Sequence, residues 1–359
     1  MDRFFMPLVV LIVGVLFFCM VESQAQLAPA LYVFGDSAVV SGNDNKLNTN
    51  GKANYAPYGI DFPAAGPTGR ATNGFTIADF VAKSLGLQSP RPFLVVNTRT
   101  DRSYEGFNYA SGLAGIRSET GTADHGVTLS MEKQIELFRK TVEEYLPSHF
   151  GAAELRKYLS KSIFLVIVGS NDYSHNYLSN QYKSSQIYDM KQFSDLLLDN
   201  LQSQLLDNLY HLGARKFVVF EMDAMGCEPG FLETVKPSKC GKRVNSYVET
   251  YNHKLGVMLQ RAAKSVRNAT FVLGKRYQLM NDLVANPTRF GLRDSANPCC
   301  SVSKSGLCVP NKAPCQDRKS RVFFDAIHPT EAVYKTIAAQ CFNGDGLCVP
   351  MNIQQLTKK

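Results

Sequence analysis

No internal repeat and no long low-complexity linker interrupts the 359 residues, which excludes a solenoid or a string of small modules. The Gly-rich dinucleotide and phosphate-loop patterns are missing, and so is HExxH, which argues against a nucleotide-binding oxidoreductase, an NTPase or a zinc protease. GxSxG is absent around any serine that ends a plausible strand. The basic residues are scattered, so the net charge of +8 gives no footprint for nucleic acid, although weak attraction to anionic cell-wall polymers is compatible with it.

What is present begins with a leader. Arg3 precedes an uncharged run from Phe4 to Met20 and then a small-residue Ser23-Gln24-Ala25 site, the form of a secretory signal peptide over residues 1–25. An uncleaved anchor is the competing reading, because the run is near the lower length limit for a span, but no basic stop-transfer flank follows it. Cleavage after Ala25 leaves residues 26–359 as a single large domain with no integral membrane segment, secreted to the extracellular space or cell wall. Nothing after Cys348 resembles a lipid-anchor signal.

Cys19 leaves with the leader, and eight cysteines remain, an even number that predicts disulfides in an oxidising compartment. Cys227 with Cys240 and Cys341 with Cys348 are plausible local pairs, and the group Cys299, Cys300, Cys308 and Cys315 supplies two more. A metal site in that group is the weaker reading, since it has no CxxC pair and no histidine, and no metal or cofactor is expected. Asn268-Ala269-Thr270 is an N-glycosylation sequon that fits the secretory route.

Apolar runs at 28–34, 106–110, 162–168, 216–220 and 270–273 read as strands, and helical spacing marks 76–85, 129–145, 152–159, 193–212, 244–266 and 330–340. Strands alternating with helices predict a parallel sheet covered on both faces. Three of the strands end in Gly-containing polar turns, after Phe34, Ala110 and Val168, and such turns at carboxyl ends converge on one crevice.

A serine hydroxyl becomes a useful nucleophile only when a base takes its proton and a carboxylate orients that base. Ser37, where the first strand stops, is a candidate nucleophile, against the plainer reading that Asp36 or Ser37 caps the next helix. Two histidines follow an aspartate by three residues, in Asp172…His175 and Asp325…His328, and the spacing does not choose between them. Asn171 could donate to a developing oxyanion. His125, His149, His211 and His253 stand in polar contexts and are expected to be solvated.

Together these residues resemble the plant GDSL esterase/lipase family of the SGNH hydrolase superfamily. Four blocks carry the resemblance in order: Phe34-Gly-Asp-Ser37, Asn108-Tyr-Ala-Ser-Gly-Leu-Ala-Gly115, Gly169-Ser-Asn-Asp172 and Asp325-Ala-Ile-His-Pro329. PYGIDFP (57–63), GPTGRATNG (66–74), IADFVA (77–82), GARKF (213–217) and PCC (298–300) extend it over the whole mature chain. The resemblance implies a three-layer α/β sandwich with a central parallel sheet, flavodoxin-like in kind, that hydrolyses carboxylic esters of lipids or small acyl compounds. It implies Ser37 as nucleophile, His328 as base and acid, Asp325 as the carboxylate behind His328, and an oxyanion hole from the Ser37 amide, a block-two glycine and Asn171. Gly115 is favoured over Gly112 for that glycine. A deacetylase of cell-wall polysaccharide is the alternative with the same residues. The chain departs from the family pattern at Val40, where an aspartate is expected.

Overall fold

The computed structural model describes residues 25–63, 66–98, 100–101, 103–232 and 240–359. The leader expected over residues 1–25 lies outside these residues except for Ala25. Among the described residues no helix is long and apolar enough to cross a membrane.

Among the described residues seven strands form one sheet: β1 Leu31–Gly35, β2 Arg91–Pro92, β3 Phe107–Asn108, β4 Ile163–Ile167, β5 Lys216–Phe220, β6 Thr270–Gly274 and β7 Cys348–Val349. Their order is β2-β3-β1-β4-β5-β6-β7. All neighbours are parallel except β7, which runs antiparallel to β6, so the expected parallel sheet gains an antiparallel edge. That edge strand is two residues long, with no periodicity to read, and is tied back to the helix Glu331–Phe342 by the Cys341–Cys348 disulfide. Strand β2, also two residues and half proline, was equally illegible.

Side chains alternate across a strand, and here both faces are covered. In β1, Tyr32 and Phe34 join one apolar cluster while Leu31 and Val33 join the other. On the first face lie the helices Met131–Lys140, Met190–Ser203 and Lys242–Ser265, contributing Ile135, Phe138, Leu197, Leu201, Val248 and Leu255. On the second lie Ile77–Ser84, Arg276–Ala285 and Glu331–Phe342, contributing Val81, Leu283 and Ile337. This is the expected three-layer sandwich, and it explains why β1 and β4 read as unbroken apolar runs instead of alternating ones. The helix Arg276–Ala285 was not anticipated, because its buried stripe of Leu279, Met280 and Leu283 is narrow and interrupted by polar positions.

The eight cysteines among the described residues are all paired: Cys227–Cys240, Cys299–Cys315, Cys300–Cys308 and Cys341–Cys348. The group from Cys299 to Cys315 is thus a pair of nested disulfides and not a metal site. Thiol titration of the mature protein under denaturing, non-reducing conditions is expected to find fewer than one free thiol per chain. Two or more would contradict this framework.

Candidate active site

The end of β1 is built for close approach. Gly35 has φ 146, and a Cβ there would lie 1.9 Å from the Ile167 carbonyl oxygen of β4, so only glycine fits. The fully buried Gln134 clamps this residue, accepting from the Gly35 amide at 2.8 Å and donating to its carbonyl at 2.8 Å. The chain then leaves the sheet and presents Ser37, half-buried, at the carboxyl edge.

His328 meets it from the loop before the helix Glu331–Phe342. His328 Nε2 lies 2.8 Å from Ser37 Oγ, and His328 Nδ1 lies 2.8 Å from Asp325 Oδ2. The other Asp325 oxygen accepts from the backbone amides of Ile327 at 2.8 Å and His328 at 2.7 Å, so the carboxylate fixes both the loop and the ring. Asp325 is fully buried and His328 is 6% exposed.

Tyr58, within the block at 57–63, was not singled out as a site residue. Its buried hydroxyl donates to Asp325 Oδ2 at 2.6 Å and accepts from the Cys308 amide at 3.0 Å. Burial and the charge of Asp325 push its pKa up, so it remains a phenol donor. No spacing signal links positions 58 and 325; only the fold brings them together.

The second Asp-x-x-His pair is not a pair at all. Asp172 accepts from the amides of Ile116 at 2.8 Å and Arg117 at 3.1 Å and from Thr120 Oγ1 at 2.7 Å, and thereby ties the third block to the segment that follows the second. His175 turns instead to His125, with ring centroids 4.9 Å apart, and burial with the neighbouring His125 pushes its pKa down to about 4. His125 therefore lines the cavity and is not a free surface residue. His149 likewise is held, with Nδ1 2.9 Å from the Tyr104 hydroxyl, while His211 and His253 are exposed as expected.

Ser37, Asn171 and His328 line one cavity of about 710 Å³ at the carboxyl edge of the sheet. Gly112 lines it too, whereas Gly115 is not among its lining residues. A Cβ on Gly115 would fall 2.5 Å from Asp172 Oδ1 and from Thr120, so that glycine serves close packing behind the cavity. The Gly112 amide donates to Asp44 Oδ2 at 2.7 Å. Next to it Leu113 adopts the left-handed conformation, φ 62, a costly one for a residue with a Cβ, and it also faces the cavity. The Asn171 side-chain amide spends one proton on the Ala114 carbonyl at 3.0 Å, leaving the other. A second cavity of about 500 Å³, between the helices Met131–Lys140 and Met190–Ser203, contains none of Ser37, Asp325 and His328.

The GDSL-like Lipase/Acylhydrolase family model matches residues 31–341. GDSL esterase/lipase 7 of Arabidopsis thaliana is 40% identical over 92% of this chain and 93% of its own. Another Arabidopsis GDSL esterase/lipase is 39% identical over 92% of this chain and 88% of its own. The chain belongs to the GDSL-like lipase/acylhydrolase family. It is accordingly an enzyme, a hydrolase of the esterase/lipase kind.

Electrostatics around the GDSL block are dominated by burial. Burial opposes charge on His328, but the charge and hydrogen bond of Asp325, with the charge of Asp36, outweigh it and raise the pKa above the ordinary 6.5. Asp36 itself is pushed up to about 6 by burial. Val40, which stands where the family pattern has an aspartate, is 1% exposed and packs in an apolar cluster with Tyr58, Phe324 and the cysteines of the nested disulfides. An aspartate there would bury a charge among apolar groups.

Proposed function

We propose that the protein is a secreted serine esterase that hydrolyses carboxylic esters of lipids or small acyl compounds through an acyl-Ser37 intermediate. The observation that carries this reading is the unbroken chain from Ser37 Oγ to His328 Nε2 and from His328 Nδ1 to Asp325 Oδ2, each link 2.8 Å. His328 takes the Ser37 proton as Oγ attacks the ester carbonyl, and returns it to the leaving alcohol. Water, activated by the same imidazole, then frees the acyl group. The oxyanion hole in this reading is formed by the Ser37 amide, the Asn171 side chain and the turn at Gly112 and Leu113, residues that line the same cavity. The amides of Ser37 and Leu113 donate to no group among the described residues, which suits them better to this task than Gly115. The cavity wall formed by Val40, Ala53, Ala71 and Leu307 is apolar and suits an acyl chain.

Residues 1–25 act as the cleaved leader and 26–359 as one hydrolase domain, a reading that the four disulfides support. Asn268 is exposed in a left-handed turn before β6, an accessible position for a glycan. Hydrolysis of a panel of acyl esters and acetylated polysaccharides by the purified protein tests the reaction class. Activity on none of them would contradict the reading.

Two measurements arise from the geometry. The rate is expected to rise with pH through a value above 6.5, because only neutral His328 accepts the proton and its pKa is raised; an acid limb below 6.5 would contradict this. Tyr58→Phe removes a charge-assisted hydrogen bond and should lower kcat by about tenfold. It should also move the acid limb to higher pH, since Asp325 then holds more charge against His328. An unchanged pH profile would leave Tyr58 a packing residue only.

A further inference from the structure

The side of the cavity next to His328 is chemically unlike the rest. The segment at 228–231 is joined to the histidine loop by the Gly230 amide, which donates to the Ala326 carbonyl at 2.8 Å. Beyond it the cavity is lined by Asp223, Glu228, Arg276 and Tyr334. Asp223 follows β5 and Arg276 opens the helix after β6, so both stand at the carboxyl edge of the sheet.

These groups are buried, and Arg276 and Tyr334 are incompletely bonded. Arg276 is 2% exposed; its Nε donates to the Glu221 carbonyl at 2.7 Å and lies 3.0 Å from Asp223 Oδ1, but its Nη1 has no partner among the described residues. The Tyr334 hydroxyl, on a residue 1% exposed, has none either. Glu228, 8% exposed, lines the same part of the cavity. Buried polar groups without partners are rare in folded chains, and more than one on one wall of a cavity points to a ligand that completes them. Burial pushes the pKa values of Asp223 and Glu228 up, and the charge of Arg276 opposes that rise.

We propose that this wall is the subsite for the leaving alcohol and that the alcohol is polyhydroxylated, a polyol or a sugar. The proposal rests on the Ser37 reading, which sets the sides of the cavity: the Ser37 Oγ–carbonyl bond forms, the carbonyl–alkoxide bond breaks, and His328 Nε2 gives its proton to the departing oxygen. The alcohol must therefore leave on the His328 side. Neighbouring hydroxyls each donate and accept, and so can bridge Glu228, Arg276 and Tyr334 together. A hydrocarbon alcohol would leave these groups unpaired, a situation that discriminates strongly between substrates. An anionic alcohol would meet Asp36, Asp223 and Glu228, and a cationic one would meet Arg276.

The test compares esters with one acyl group and different alcohols: glycerol 1-monobutyrate and 6-O-butyryl glucose against n-butyl butyrate. Wild-type kcat/KM is expected to favour at least one of the hydroxylated esters by about a hundredfold or more. Glu228→Gln and Tyr334→Phe, each nearly isosteric, should reduce that preference ratio by about tenfold. Equal kcat/KM for all three esters would overturn the proposal while leaving Ser37 hydrolysis intact. A preference ratio untouched by both variants would overturn the assignment to this wall. Hydrolysis of none of the three would count against both the subsite and the Ser37 reading.

Discussion

Replacing His328 by alanine is expected to lower kcat by about 10⁴-fold or more, while His175→Ala retains most of the activity. The two histidines are indistinguishable by their distance from an aspartate in the sequence, yet their surroundings differ completely. His328 stands between Ser37 and Asp325 with 2.8 Å links on both sides. The aspartate before His175 is occupied by two backbone amides and Thr120, and His175 stacks edge-on against His125 with its pKa pushed down to about 4. A neutral imidazole at the cavity rim can touch substrate, so His175→Ala should change the relative rates on different acyl groups more than the rate on any one. Steady-state kinetics on both variants, with folding checked by circular dichroism, decide the matter. An inactive, folded His175→Ala beside an active His328→Ala would reverse the assignment.

Asp325→Asn is expected to cost nearly as much, about 10⁴-fold in kcat. Four donors converge on the Asp325 carboxylate: the amides of Ile327 and His328, the Tyr58 hydroxyl and His328 Nδ1. An amide of the same shape keeps one oxygen for the two backbone donors and turns an NH₂ towards Tyr58 and His328. The phenol can rotate and accept, but the imidazole must then carry its proton on Nε2, the wrong tautomer to take one from Ser37. The fold should survive, because the shape is preserved and the backbone bonds remain. A thermal midpoint near wild type with activity lost would match this account. A loss below about tenfold would mean that Asp325 orients the loop and not the base.

Much of this was legible in the sequence because the relevant signals are local. The apolar runs of β1, β4, β5 and β6 are continuous since both sheet faces are covered, and the Gly-containing turns that follow β1, β3 and β4 gather at one edge as parallel strands require. The pairs Cys227–Cys240 and Cys341–Cys348 were also readable from parity and spacing. The parts that escaped depend on contacts between distant segments. Tyr58 reaches Asp325 across 267 positions, and Gln134 reaches Gly35 across 99. That Gly112 lines the cavity while Gly115 packs against Asp172 is a difference of a few ångströms that composition does not encode. Strands β2 and β7, two residues each, carry no pattern to read.

The most direct test of the central claim is covalent trapping. A fluorophosphonate ester that mimics the tetrahedral adduct should label the folded protein once, and peptide mass spectrometry should place the adduct on Ser37, with labelling proportional to the loss of esterase activity. His328→Ala should label far more slowly, since the hydroxyl then lacks its base. Full inactivation with the adduct on another residue, or persistent hydrolysis by a Ser37→Ala variant at the wild-type rate, would contradict the assignment.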